Sequence, residues 1–149
     1  MWISTRAQYG MRALVEVALG GDRPTSLKTV ADRQQLSQPY LEQIFAVLRN
    51  AGVVESVRGA HGGYRVVRPL ESIDALEIVE LLEGSVAPVA CIEDGDTCER
   101  TGQCSTEPLW REVDDAVRRV LRGTSLADLV QRKTFLQLEP LPSRFLSPS

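Results

Sequence analysis

Three cysteines, Cys91, Cys98 and Cys104, lie within a stretch of fourteen residues, and the chain contains no others. The segment that joins them is rich in Asp, Glu and Gly and has no hydrophobic periodicity. A loop of this composition cannot bury a core of its own, so packing does not order it. Thiolates that converge on a metal ion or an iron–sulfur cluster would order it, because such centres are held mainly by Cys sulfur. We therefore expect this loop to be the part of the chain that senses a signal.

The spacing of the cysteines favours a cluster over structural zinc. Six residues separate Cys91 from Cys98 and five separate Cys98 from Cys104, whereas structural zinc sites usually contain closely spaced Cys pairs. Three sulfurs leave one ligand position, and Glu107 is the nearest oxygen ligand by sequence. The competing interpretation of Glu107 is a carboxylate that complements the dipole of the helix that follows. His61, the only histidine, is better interpreted as a residue that faces DNA or solvent.

Composition sets the class of protein. The 149 residues are 43% hydrophobic and 25% charged, which is ordinary for a compact globular protein. We expect a cytoplasmic protein, because no apolar run approaches the length of a membrane helix and no signal peptide is evident. Thiols stay reduced in that compartment, so an odd number of clustered cysteines favours metal or redox chemistry. An enzyme is not indicated, since one histidine and no nucleotide-binding glycine loop leave only scattered carboxylates.

Charge divides the chain into two halves. Residues 1–70 contain nine Lys or Arg and five Asp or Glu, whereas residues 71–149 contain eight and fifteen. A basic half that is joined to an acidic half suggests that the first half meets a polyanion. Chance is the competing explanation, because the excess of positive charge is modest.

The first seventy residues are predicted to fold as three helices and a hairpin. Apolar periodicity predicts helices over Thr5–Leu19, Leu27–Gln34 and Gln38–Asn50, with Ser37 as the N-cap of the third and glycines after the first and third. Strands are predicted at 53–57 and 64–67, joined by a glycine-rich turn at 58–63. This order predicts a winged helix-turn-helix domain over residues 1–70, within a mostly α-helical protein that has a small β-hairpin wing.

A winged helix-turn-helix binds DNA with the start of its third helix in the major groove and its wing along the backbone or minor groove. Hydroxyl, amide and phenol groups in the leading turn suit phosphates and base edges, and a wing arginine suits phosphate or a narrow minor groove. The competing reading is a protein-contact module that binds no DNA. The candidate DNA-binding residues are Ser37, Gln38, Tyr40, Gln43, Arg58, Gly59, His61 and Gly62.

The second half is predicted to be a helical region over 71–135, followed by a mobile tail over 136–149. Helices are expected at 72–82 and 106–122, a short helical turn at 126–130, and an irregular cysteine loop at 84–105. The helix after the cysteines carries an apolar stripe that we expect to pack on the same helix of a second subunit. The stripe consists of Leu109, Trp110, Val113, Val117, Val120 and Leu121.

Several segments together resemble the bacterial winged-helix regulators of the IscR and NsrR type, and the IscR pattern most. They are Ile-Ser-Thr-Arg-Ala-Gln-Tyr-Gly at the N-terminus, Leu-Ser-Gln-Pro-Tyr-Leu-Glu-Gln-Ile-Phe, Ser-Val-Arg-Gly-Ala-His-Gly-Gly-Tyr, the three-cysteine loop and Leu109-Trp110-Arg111. The resemblance implies a homodimeric transcription factor that binds double-stranded DNA. It also implies a dimer built on the long helix, and an iron–sulfur cluster, of the 2Fe–2S type, on the matching cysteines.

The sequence departs from that pattern at three points. A histidine stands three residues after the last cysteine of the IscR pattern, where this chain has Glu107. The first cysteine gap is one residue longer, and Gln8 lies near the position where the NsrR pattern places an acidic ligand from the partner subunit. A regulator of the same fold that uses thiol redox chemistry or zinc remains an alternative, as does an adaptor without DNA binding.

Overall fold

The computed structural model describes residues 3–95, 99–100 and 102–138. Within them lie seven α-helices and one hairpin, so the predicted fold, mostly helical with a two-stranded wing, is confirmed. The elements are α1 Thr5–Leu19, α2 Leu27–Gln34, α3 Gln38–Asn50, β1 Val54–Val57, β2 Gly63–Val66, a single 3₁₀ turn Leu70–Ser72, α4 Ala75–Glu83, α5 Ala90–Glu93, α6 Glu107–Arg122 and α7 Leu126–Leu138. No helix in these ranges is long and apolar enough to cross a membrane.

The first three helices begin and end where the sequence predicts, because their boundaries are set locally. Ser4, Ser26 and Ser37 each precede a helix, and their side chains accept hydrogen bonds from backbone N–H groups of the first turn. Such caps satisfy donors that the helix itself leaves free. Gln35 ends α2 in a left-handed conformation with φ 54°, which reverses the chain toward Ser37.

The wing is attached to the connection between α1 and α2. β1 begins one residue later than predicted, and β2 begins and ends one residue earlier. The two strands pair antiparallel, with Glu55 opposite Arg65. Thr25 extends this pairing, since its N–H donates to the Tyr64 carbonyl and its carbonyl accepts from the Tyr64 N–H, both at 2.9 Å. Gly63 permits the contact: its φ is +150°, and a Cβ there would lie 2.3 Å from the Thr25 carbonyl oxygen. The wing is therefore fixed to the body rather than free.

One continuous core joins the two halves of the chain around α1. Leu14 and Val17 on α1 are fully buried, and the cluster continues through α2, α3, the wing, α4 and α7. Gly10 lets α4 approach α1 closely, because a Cβ there would lie 2.4 Å from the Leu82 side chain. Burial of several large apolar side chains in one cluster is the main stabilising term, at about 1.5–3 kcal/mol for each. The largest are Phe45, Leu14, Leu41, Ile44, Leu48, Ile73, Ile78 and Leu126.

The helix predicted to start at 72 begins three residues later, at Ala75. Asp74 is its N-cap, since the Asp74 Oδ1 accepts a hydrogen bond of 2.8 Å from the Glu77 N–H. Ile73 is extended and fully buried, and its carbonyl accepts from the Leu126 N–H at 2.7 Å. Ile73 is extended because it packs in the core beside α7. This long-range contact delays the start of α4, and the spacing of apolar residues within the segment does not predict it.

The apolar stripe of α6 is divided between two surroundings. Val117 and Leu121 pack against the core of their own chain, and Arg118 ties the helix to α4 through Glu80 at 2.8 Å. Leu109 and Val120 remain 52% and 66% exposed. Two residues of the stripe are thus used within the chain, two are available to a partner, and Trp110 and Val113 are half-buried.

α7 is longer than the short turn predicted at 126–130 and reaches Leu138. Ser125 and Asp128 cap its start reciprocally: the Asp128 Oδ2 accepts from the Ser125 N–H at 2.9 Å, and the Ser125 Oγ accepts from the Asp128 N–H at 3.1 Å. These bonds hold the pKa of Asp128 below its usual range. The tail predicted from residue 136 therefore begins inside α7, and residues 139–149 lie outside the described part of the chain.

Candidate functional site

The leading turn of α3 presents polar side chains to solvent. Ser37, Gln38 and Gln43 are exposed, and the Ser37 Oγ accepts from the Tyr40 N–H at 3.4 Å as the cap of the helix. Tyr40 is half-buried, and its ring meets the Tyr9 ring edge to face with centroids 6.5 Å apart. The side-chain amides of Gln38 and Gln43 are therefore accessible at the surface, whereas Tyr40 also packs against Tyr9.

The wing tip presents the residues that the sequence analysis selected. Arg58, Gly59 and His61 are exposed, and Gly59 has a φ of +116° that favours glycine. Gly62 is less open, because a Cβ there would lie 2.1 Å from the Val57 carbonyl oxygen. Its N–H donates to the Gly59 carbonyl at 3.0 Å, so Gly62 shapes the turn that carries Arg58 and His61.

A polar cleft of about 410 Å³ joins the wing to α2, and sequence reasoning missed its cationic residues. His61 lines it together with Arg23, Arg33 and Thr29. Arg23 lies in the α1–α2 connection and Arg33 is at the far end of α2, so no local sequence pattern links either of them to the wing. The cleft brings two guanidinium groups beside the wing tip, which is suitable for an anion such as a backbone phosphate.

Two of the three cysteines lie in the described residues before α6. Cys91 is in α5, a short helix inside the loop that we predicted to be irregular, and Cys104 lies three residues before the start of α6. α5 contacts α6, which explains how a segment with little apolar content acquires a helical turn. Cys98 lies outside the described residues.

Cys104 is polarised by its neighbours. Its Sγ lies 3.2 Å from the Thr106 Oγ1, and the thiol is half-exposed. The hydrogen bond with the Thr106 side chain, followed by the Thr106 backbone N–H, lowers the pKa of Cys104. A thiol with a lowered pKa at the start of a helix is more reactive and binds metals more readily.

The carboxylate of Glu107 is bound by Arg111 of the same helix and by the backbone of Gly102. Its Oε2 accepts from the Gly102 N–H at 3.0 Å, and its Oε1 accepts from the Arg111 Nε at 3.0 Å and Nη2 at 2.6 Å. The Gly102 bond, followed by the Arg111 guanidinium, lowers the pKa of Glu107. The same pair raises the pKa of Arg111, to which the charge of Cys91 adds a smaller contribution. Glu107 therefore pairs with Arg111 in the first turn of α6, and Cys91 acts on the same guanidinium through its charge.

Within residues 3–95, 99–100 and 102–138, no three His, Cys, Asp or Glu side chains form a group that could hold a metal ion. Cys98, which would be needed for such a group, is not among them. Among the described side chains, Glu107 is held on Arg111. Ligation by Glu107 would require its carboxylate to leave that guanidinium.

Comparison with known proteins gives a consistent result over almost the whole chain. Residues 3–132 match the model of the Rrf2 family, described as an iron-dependent transcriptional regulator. IscR of Cereibacter sphaeroides, an HTH-type transcriptional regulator, is 38% identical over 96% of this chain and 93% of its own.

Solved structures agree with the sequence matches. The structure of CymR, described as the global cysteine regulator of B. subtilis, is 42% identical, covers 89% of this chain and 98% of its own, and has a TM-score of 0.75. IscR of T. potens is 35% identical, covers 99% and 97%, and has a TM-score of 0.74.

The polarised Cys104 generates a prediction about thiol reactivity. In a variant that retains only this cysteine (Cys91→Ser, Cys98→Ser), alkylation by iodoacetamide should begin at a lower pH than for an ordinary thiol. Thr106→Val removes the hydroxyl that stabilises the thiolate, so the pKa should rise and the rate–pH curve should move to higher pH. Ser105→Ala, the adjacent hydroxyl, should leave the curve in place. A Thr106→Val curve that coincides with the parent's would show that the hydroxyl has no such effect.

Proposed function

Because the chain belongs to the Rrf2 family of transcriptional regulators, we propose that it is a cytoplasmic homodimer that binds operator DNA and senses a signal through its cysteine loop. The observation that supports DNA binding most directly is the exposed polar leading turn of α3 beside a wing that is fixed to the body of the domain. The loop chemistry supports the sensing role, and the divided stripe of α6 supports the dimer.

DNA recognition follows from the helix-turn-helix geometry. The start of α3 enters the major groove, where Gln38 and Gln43 reach base edges through their amides. The wing lies along the backbone with Arg58 on phosphate or in the minor groove. The cleft that contains Arg23 and Arg33 adds a second cationic contact to the phosphates beside the wing. Ser37, Tyr40, Gly59, His61 and Gly62 complete the proposed surface, with Gly62 acting through the shape of the turn.

Operator binding is tested with a duplex selected from a random library. Arg58→Ala should weaken binding and reduce the slope of log affinity against log salt by about two, since the dimer loses one phosphate contact in each subunit. Gln43→Ala should cost about 1–3 kcal/mol and relax sequence choice. Arg122→Ala, an exposed arginine at the end of α6, is the control and should change neither quantity. Equal salt slopes for the wild type and Arg58→Ala would remove Arg58 from the interface.

The proposed dimer uses the side of α6 that does not pack on its own chain. Leu109, Val113, Ala116 and Val120 follow one another at intervals of four, three and four residues, which is the spacing of a coiled-coil seam. In an antiparallel pair about a twofold axis, Leu109 would meet the partner's Val120 and Val113 would meet the partner's Ala116.

Charge beside the seam favours the same antiparallel arrangement. Glu112 and Arg119 flank it on one side, both are exposed, and neither forms an ion pair with the residues that the structure describes. Residues beside a helical seam commonly pair across it and set orientation. Antiparallel pairing would place Glu112 near the partner's Arg119 twice in each dimer, because the contact is repeated by the twofold axis.

Dimerisation is tested by the dissociation constant from sedimentation. Val120→Glu should abolish the dimer while the monomer stays folded, since Val120 is 66% exposed. Glu112→Arg should weaken the dimer about 2- to 30-fold and the double variant Glu112→Arg/Arg119→Glu should restore it. The same exchange at Asp115 and Arg122, which lie on the same flank of α6 but farther from the seam, is the control and should have no effect. A swap that fails to restore affinity would argue against antiparallel pairing.

Cys91, Cys98 and Cys104 would hold an iron–sulfur cluster, of the 2Fe–2S type by the resemblance, and Glu107 would be its fourth ligand. A bound cluster supplies a one-electron redox centre and covalent cross-links within the loop. The soft thiols fit such a group, and the polarised Cys104 is ready to ligate as thiolate. Arg111 competes with any metal for Glu107, so the residues support a weakly held, and hence labile, fourth position. A change in the loop would reach α6 directly and bias the dimer.

A second candidate function is thiol redox sensing without metal. The observation that favours it is the accessible Cys104, whose pKa is lowered at the start of a helix. The similarity to CymR, described as a cysteine regulator, points the same way. In this version, oxidation of Cys104 would act on α6 through the same turn.

Anaerobic purification followed by iron, zinc and acid-labile sulfide analysis separates these candidates. We expect iron and sulfide together, and Cys91→Ala, Cys98→Ala and Cys104→Ala should each abolish the visible absorption. Glu107→Ala should shorten the cluster lifetime and Arg111→Ala should lengthen it, because the carboxylate is then released from its ion pair. Glu112→Ala, one turn further along α6, is the control. Zinc without sulfide, or a metal-free protein with a reversibly oxidised Cys104, would contradict the cluster.

A further inference from the structure

Glu16 is a buried carboxylate that joins three helices. It lies on α1, its side chain is 5% exposed, and it is the charged residue among the buried side chains of the described chain. Its Oε1 accepts from the Gln34 Nε2 at 2.7 Å, at the end of α2. Lys133 on α7 lies 3.4 Å from the same oxygen, and Arg33 on α2 lies 3.5 Å from the Oε2. A buried charge needs such partners, since an unpaired one would be strongly destabilising.

The contact with Lys133 reaches across the boundary between the DNA-binding and helical regions. α2 and α3 form the helix-turn-helix, whereas α7 follows α6 after a short turn. Arg12 holds the α2 end of the network, because its Nε and Nη2 donate to the Gln34 side chain and carbonyl at 3.0 and 3.1 Å. A polar path of direct contacts thus leads from α7 through Glu16 to the last residue of α2.

Apolar packing alone leaves room between α1 and α7. A groove of about 560 Å³ opens there and is lined by Met11, Val15, Leu129 and Leu136 among others. Leu126 anchors the start of α7 in the core and Val130 packs on the core one turn later, whereas Leu129 and Leu136 line the open groove. The Glu16–Lys133 contact, two turns after Leu126, supplies a directional constraint that the groove lacks. Buried polar groups are best attested in this role of fixing one arrangement.

We infer that Glu16 is a positioning residue whose contact with Lys133 fixes the helix-turn-helix relative to the helices that form the dimer, and so sets the spacing at which two half-sites are bound. The inference rests on the proposed dimeric DNA-binding function. A twofold dimer binds two half-sites about one helical turn of DNA apart. A small change in the angle between the helix-turn-helix and the dimer-forming helices therefore changes the distance between the two recognition helices. Within one subunit the reading surface of α3 and the wing is unaffected.

Three duplexes test the inference: the selected operator, the same operator with one base pair inserted between half-sites, and a duplex with one intact half-site. Lys133→Met removes the charge and keeps the aliphatic stem. It should weaken binding to the operator about 5-fold or more, reduce the preference for the native spacing, and leave half-site binding unchanged. Glu16→Gln should also weaken operator binding and reduce the spacing preference, and a double variant should lose less than the sum of the two. Because Glu16 also pairs with Arg33 of the proposed phosphate cleft, the half-site comparison is made with Lys133→Met alone. Arg132→Met, the adjacent exposed residue, is the control.

The outcomes separate the inference from the proposed function. Equal losses on the operator and the half-site would mean that Lys133 has a general structural role, and that would overturn the inference even if the unfolding midpoint is unchanged. Unchanged spacing preference in Lys133→Met, with normal wild-type binding, would overturn it as well. A wild-type chain that binds no duplex in a salt-dependent manner would overturn the proposed function and the inference together.

Discussion

The packing of α1 against the rest of the chain is the constraint on which the structure depends. α1 contacts α2, α3, α4 and α7, so its buried surface spreads around more than half of the helix. Small residues make this possible: Ala7, Gly10 and Ala13 let neighbouring helices approach, while Leu14 and Val17 fill the space between them. Because one helix serves both regions, any shift of α4 or α7 on α1 is also a shift relative to the recognition helix.

Cys91 and Cys104 lie outside this core, although Val86 of the same loop is buried in it, and α6 connects the loop to the rest of the chain. Cys104 and Glu107 are at the helix start, and Arg111 one turn later binds Glu107. Further along, Val117 and Leu121 pack on the core while Leu109 and Val120 face outward. One helix therefore carries the chemistry at its first turn, a proposed dimer seam along one side and the attachment to the body along the other. The proposed link between the cysteine loop and DNA recognition rests on this arrangement of α6.

The sequence by itself determined the elements whose signals are local. The first three helices match their predicted limits because serine caps and glycine or left-handed stops act within one turn. The wing was recognisable from its glycine turn between two short apolar runs. The polar leading turn and the clustered thiols could also be identified, since their chemistry lies in the residue types themselves. Their roles as DNA contacts and cluster ligands stay predictions.

Only the tertiary structure decided features that depend on residues far apart in the chain. Burial of Ile73 moved the start of α4, and contact with α6 made a helix of the segment around Cys91. The pairing of Glu107 with Arg111 shows which of two local interpretations the carboxylate adopts in this conformation. The burial of Glu16 and its ion pair could not be predicted from the sequence. Its partner Lys133 is more than a hundred residues away, and a single carboxylate on an apolar helix forms no periodic pattern. Long-range packing and ion pairing are set by three-dimensional proximity, which the order of residues alone does not express.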